Sequence, residues 1–401
     1  MSTSYALTNG TVVLPDQLVY DQAVVIEDGK VTALCHELEL AAPVERIDVG
    51  GRLICPGLID IHIHGAQGHT FNEPTEVAFR TITETTARNG VTSLLATTAT
   101  DDIENLVSCL DFTQRWMQEA SSSSQPNDRR PSGSQILGAH VEGPYFNLAQ
   151  AGAQDPAHIR NPDDGTPALL LAYHNIIRIL TFAPELPGAL DLTKQLVARG
   201  IVAAAGHSAA REEDVLPKID AGLRHMIHMW SAQSTTVREG PWRKPGLLEV
   251  SLTDERVTGE IIADNKHLPP TLMKLAYKCL GPDRLCAVSD ATSGAGLPEG
   301  ARFRMGGLEY DVHDGVGMVL DRTAFAGSTT LLNRMVAILI NEVSIPVAEA
   351  VRMASLTPAR IIGVDKTKGS LEVGKDADIA IFNDDFTTWQ VIVGGRPLFH
   401  P

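Results

Sequence analysis

His62 and His64 are the residues of this 401-residue chain whose type and spacing point most directly to chemistry. They close the run Leu53-Ile54-Cys55-Pro56-Gly57-Leu58-Ile59-Asp60-Ile61-His62-Ile63-His64, which is apolar and β-branched like a buried strand. In a strand, residues i and i+2 share a face, so both imidazoles project together where Gly65 ends the run. Neutral imidazole is the commonest protein metal ligand. Taken alone, the pair reads equally as two satisfied core histidines. Glu142, His207, His228 and Asp290, further along the chain, change that balance. This set of imidazoles and carboxylates suits one or two borderline divalent ions, zinc first, with iron(II), manganese or cobalt also compatible. Such an ion turns water into a nucleophile near neutral pH. A further carboxylate can take the proton and pass it to a leaving group. Asp290, in Ser289-Asp290-Ala291, fits that catalytic role as well as a metal role; alone it would read as a helix cap or turn residue.

These residues need a scaffold that brings distant segments together. The middle of the chain alternates strand-like and helix-like segments, the signature of βα units around a parallel sheet. Eight strands are expected: Leu58–His64, Thr92–Thr97, Gln135–Glu142, Ile176–Phe182, Ile201–His207, Arg224–His228, Thr258–Ala263 and Arg284–Asp290. Helices such as Thr75–Asn89, Leu190–Arg199 and Pro270–Leu280 separate them. Every candidate ligand falls at the C-terminal end of a strand. That is where a (β/α)8 TIM barrel carries its active site, and an open doubly wound sheet seldom collects residues from so many ends. Both chain ends read as short strands broken by turns, with Asp28-Gly29 a hairpin signal. We expect residues 1–56 and 368–401 to build one small β-sandwich domain, with the α/β barrel of residues 57–367 between them. Ser121–Ser134 reads as a solvated loop and Arg302–Leu320 as an inserted hairpin.

Composition narrows the class. An apolar content of 43% with 20% charged residues is globular. A net charge of −16 argues against nucleic acid and against an anionic membrane surface as partners. Five cysteines without a C-x-x-C pair fit a reducing, cytoplasmic setting. The N-terminus lacks the pattern of a signal peptide, and no apolar run approaches membrane-span length.

In order and spacing, five motifs carry a specific resemblance: His140-Val141-Glu142-Gly143-Pro144, Ala205-Gly206-His207-Ser208, Ile262-Ala263-Asp264, Ser289-Asp290-Ala291 and Ala326-Gly327-Ser328. The chain resembles the N-acetylglucosamine-6-phosphate deacetylase family of the amidohydrolase superfamily over nearly its whole length. The resemblance implies that Glu142, His207 and His228 bind the catalytic metal; the His62/His64 pair makes a second metal possible, with Glu142 as the available bridge. Strand four, Ile176–Phe182, has no lysine for the carboxylated-lysine bridge of other amidohydrolases. His140 shares a face with Glu142 and reads either as a group orienting a ligand or as a buried structural histidine.

The substrate side departs from the family pattern. Where the family has asparagine after the last metal histidine, this chain has Ser231, followed by Ala232. A sugar-contacting histidine is replaced by Gln154, and Gly240–Lys244 is inserted after Arg238-Glu239. Arg238, Arg243, Lys244 and His267 are expected to form an anion pocket, with Ser328 beside the substrate; a solvated basic loop is the alternative. The resemblance implies a homodimer that deacetylates a small amino sugar, N-acetylglucosamine 6-phosphate first. N-acetylgalactosamine 6-phosphate, an unphosphorylated sugar or another amide are alternative substrates. A non-catalytic binding protein is the alternative outside enzymes.

Overall fold

The computed structural model describes residues 4–40, 44–122 and 133–398, so most of the expected Ser121–Ser134 loop lies outside the described residues. Eight parallel strands form one sheet in chain order: Leu58–Asp60, Val91–Thr98, Gln135–Glu142, Ile177–Phe182, Val202–Ala205, His225–Met226, Thr258–Ile262 and Leu285–Val288. Each is followed by a helix, beginning with Glu76–Arg88 and ending with Leu332–Asn341. First and last strands meet through the segments just beyond them. Ile63 bridges to Ala291, and the Asp290 and His64 amides donate to the His62 and Ala291 carbonyls at 2.9 and 2.8 Å. The sheet thereby closes into a (β/α)8 barrel.

The sequence explains this wrapping. All eight residues of Val91–Thr98 are buried, as expected of a strand covered on both faces. The helix Glu76–Arg88 starts where the Thr75 hydroxyl accepts from the Ala78 amide, and it buries Phe79 and Ile82 at helical spacing.

Both chain ends contribute to a six-stranded sheet in which Leu53–Pro56 pairs antiparallel with Ile379–Phe382. A four-stranded sheet, from Ser4–Thr8, Gln22–Glu27, Lys30–His36 and Glu45–Asp48, joins it around a core that includes Leu7, Ile26, Ile54 and Ile379. The Asp28-Gly29 turn forms as expected. Glu27 pairs with Lys30, and both turn residues have positive φ, as this tight turn requires.

Two expectations are corrected. The first barrel strand stops at Asp60, so His62 and His64 lie past the ladder, where the Ile63 amide donates to Thr97 Oγ1 at 3.0 Å instead. Arg302–Leu320 is not one hairpin but a three-stranded meander, Arg302–Met305, Leu308–His313 and Val316–Val319. Gly306-Gly307 makes the first turn and Asp314-Gly315 the second.

Candidate metal centre

The candidate ligands are set at the mouth of the barrel by one repeated local device. Glu142 is the last residue of its strand, while His207, His228 and Asp290 each stand two residues past theirs. His207 and Asp290 take φ of 46° and 45°, a left-handed backbone that non-glycine residues rarely adopt. That turn swings each side chain inward, and such conformations gather at functional sites because surrounding structure sustains them. Ser328 sustains Asp290: its amide donates to the Asp290 carbonyl at 2.8 Å.

Glu142 is the hub. Its Oε1 lies 3.0 Å from His228 Nε2, 3.2 Å from His207 Nε2 and 3.6 Å from His62 Nε2. Its Oε2 lies 3.2 Å from His64 Nε2. Asp290 Oδ1 stands 3.3 Å from His64 Nε2 and 3.6 Å from His62 Nε2. Two potential metal triplets result, His62/His64/Glu142 and Glu142/His207/His228, both fully buried and sharing Glu142. All six expected ligands therefore converge.

The electrostatics fit a cation. Burial opposes charge on His62, but Glu260 and Glu142 outweigh it and hold that imidazole well above its usual range. His64 is raised to about 9 against burial by Asp290 and Glu142. Glu142 is kept well below the carboxylate range, despite burial, by His207, His228 and His62. Asp290 is lowered despite burial, chiefly by His64. A field that draws protons onto buried imidazoles also draws a divalent ion in their place. His62 Nε2, His64 Nδ1 and His228 Nδ1 are buried without a hydrogen-bond partner, an uncommon state for buried polar atoms. The His62 Nε2 contacts at 3.6 Å are too long to be hydrogen bonds. Donor set, charge and the free His62 Nε2 inside the centre together fit a divalent metal.

His140 is a structural neighbour of this centre. Its Nδ1 meets the Ile61 carbonyl at 3.0 Å and its Nε2 meets Thr181 Oγ1 at 2.8 Å. Burial, with the charge of His62 adding to it, pushes it down to about 3 and keeps it neutral.

A cavity of about 320 Å³ opens on the centre. Of the residues expected to hold substrate, Gln154, Ser231, Ala232 and His267 line it. His267 is fixed by Asp264 Oδ2 at 2.8 Å and rests against the Phe325 ring. Arg238 and Ser328 do not line it. Arg238 is exposed on the hairpin Val237–Glu239/Trp242–Lys244 and donates to the Gly240 carbonyl at 2.7 Å. Arg243 is exposed there too, because the inserted Gly240–Lys244 builds the turn and return strand of that hairpin. Ser328 is buried, its hydroxyl donating to Asp264 Oδ2 at 2.8 Å. Among the described residues no lysine or arginine lines the cavity.

Sequence reasoning missed Glu260, Trp230 and Phe325. The last two line the cavity. Glu260 is wholly buried behind it, in contact with His62 and His225. A carboxylate inside the apolar run Gly259-Glu260-Ile261-Ile262 was the available signal, since Glu is seldom buried unpaired.

Comparisons with known proteins give the family of the chain. Residues 53–398 match the model of the amidohydrolase family, and residues 4–54 match that of the NagA composite domain. The chain is 31% identical to an N-acetylgalactosamine-6-phosphate deacetylase of Escherichia coli O157:H7, over 94% of both chains. It is 31% identical to an N-acetylglucosamine-6-phosphate deacetylase of Vibrio furnissii, over 94% of this chain and 91% of that one. The crystal structure of N-acetylglucosamine-6-phosphate deacetylase from Pasteurella multocida superposes with a TM-score of 0.89 at 28% identity, covering 98% of this chain and 99% of that one.

Proposed function

The chain belongs to the amidohydrolase family, in its N-acetylglucosamine-6-phosphate deacetylase branch, and from that premise we propose that it removes the acetyl group of an N-acetylated amino sugar. It is a hydrolase of carbon–nitrogen bonds. N-acetylglucosamine 6-phosphate is the lead substrate, giving acetate and glucosamine 6-phosphate, because several similar proteins carry that activity in their names. The observation that carries the reading is Glu142 at the crossing of two ligand triplets, beside Asp290 and open to the cavity.

In this reading His62, His64, Glu142, His207 and His228 hold one or two divalent ions, zinc first, with Asp290 at the edge of the set. When bound, the metal supplies Lewis acidity toward the amide carbonyl and toward water. Asp290, kept ionised, takes a proton from the attacking water and returns it to the departing amine nitrogen. His267, with Nδ1 bonded to Asp264, turns its other nitrogen to a sugar hydroxyl. Trp230 and Phe325 give the ring an apolar wall.

A second reading, an N-acyl sugar without phosphate, is favoured by the lining of the cavity. Phosphate is ordinarily met by arginine or lysine, and here those residues sit on the exposed hairpin. The described cysteines are free, which supports a cytoplasmic setting, and relatedness to the branch supports a homodimer. No helix among the described residues is long and apolar enough to cross a membrane.

The test is metal analysis followed by acetate release from N-acetylglucosamine 6-phosphate, N-acetylgalactosamine 6-phosphate and both free sugars, before and after chelation. Activity that depends on metal is expected. Full activity in metal-free protein would overturn the mechanism, and turnover confined to free sugars would select the second reading.

A further inference from the structure

Glu260 lies behind the centre rather than in it. Its Oε2 is 2.8 Å from His62 Nδ1 and 3.2 Å from the backbone nitrogen of His228; its Oε1 is 2.8 Å from His225 Nε2. The residue is wholly buried, as are His62 and His225. His62, His140 and Glu260 also form a compact triplet. That triplet is not a metal position, because both ring nitrogens of His140 are engaged by the Ile61 carbonyl and by Thr181.

A carboxylate can only accept, so both imidazoles must donate to it. That requirement puts a proton on His62 Nδ1 and leaves Nε2 as the atom offered to a metal. His62 Nε2 is the buried, unpartnered nitrogen that points between Glu142 and Asp290. The Glu142/His207/His228 triplet depends on Glu260 less directly: the carboxylate accepts from the His228 backbone amide at 3.2 Å but touches neither ring of that triplet, and His207 is oriented by the Gln150 carbonyl at 2.9 Å.

We propose that Glu260 is the positioning residue that makes His62/His64/Glu142 a metal position in its own right, separate from Glu142/His207/His228. The inference rests on the metal reading of the centre given above. Groups that orient a metal-bound imidazole typically govern affinity by about ten- to a hundredfold.

Glu260→Gln tests this with shape kept. A glutamine accepts through one oxygen only, so it cannot serve His62 and His225 together in their present roles. Titration of metal-stripped protein with zinc or manganese should give two equivalents for the parent. The variant should keep one and bind the other at least tenfold more weakly. With manganese, the spectrum of a coupled pair should give way to that of a single ion. His62→Asn should lose the same equivalent, and adding Glu260→Gln to it should cause no further loss. Two equivalents of parental affinity in Glu260→Gln would overturn the proposal, as would equal weakening of both. Should Glu260→Gln fail to fold, imidazole nitrogen resonances of the zinc-loaded parent decide: His62 protonated at Nδ1 supports the proposal, and an unprotonated or metal-bound Nδ1 overturns it. A parent that binds no metal overturns the reading of the centre itself, and this inference with it.

Discussion

Gln154 donates from Nε2 to Glu142 Oε2 at 2.5 Å while its Oε1 accepts from the Thr100 amide at 2.7 Å. Both ends of the amide are therefore committed, one to the shared carboxylate and one to the backbone. The side chain stands where the family pattern has a sugar-contacting histidine, yet here it braces the metal side. Gln154→Ala should weaken metal binding by about ten- to a hundredfold, the scale of a lost charge-assisted hydrogen bond of about 1.5–3 kcal/mol. KM for the sugar should move less than threefold in metal-saturated enzyme. A raised KM with unchanged metal affinity would return Gln154 to the substrate side.

Asp290→Asn keeps the size of the side chain but removes its ability to take a proton. Turnover should fall by about a hundredfold or more. Metal content should fall much less, because Glu142, His207 and His228 remain. Steady-state kinetics beside metal analysis checks both halves, and near-normal turnover would assign the proton to another group.

Arg238 is exposed and does not line the cavity. Arg238→Ala is expected to change KM by less than threefold for both N-acetylglucosamine 6-phosphate and its free form. A selective rise of tenfold or more for the phosphorylated sugar would instead mean that the hairpin reaches the cavity of a second copy.

Asp264 links acid stability to the substrate side. Burial opposes its charge, but His267 and the amides of His267 and Lys266 hold it below the usual carboxylate range. A carboxylate lowered on folding stabilises the protein above its unfolded value near 4, and that contribution is lost as pH falls through the folded value. Thermal unfolding should thus show a falling Tm below about pH 4, with a shallower slope in Asp264→Asn. Identical slopes in the two proteins would rule out Asp264 as a contributor.

The barrel and the convergence of the candidate ligands were legible for the same reason. Buried parallel strands such as Val91–Thr98 are near-continuous apolar runs, and a histidine or carboxylate at the end of such a run stands out against them. The boundaries were less legible, because pairing stops when neighbouring backbone is no longer opposite. That is why the first strand ends at Asp60 rather than at His64. Arg238 and Ser328 do not line the cavity of their own chain, which sequence position does not reveal: Arg238 sits on an exposed hairpin, and the Ser328 hydroxyl donates to Asp264. Glu260 escaped notice because its partners, His62 and His225, lie far from it in sequence.

The sharing of Glu142 between two ligand triplets sets an order on how this site can decay over generations. On the metal reading proposed above, replacing His62 and His64 would dismantle one triplet and spare the other. Replacing Glu142 would leave both triplets incomplete. Descendants of this fold should therefore vary at positions 62 and 64 long before they vary at 142.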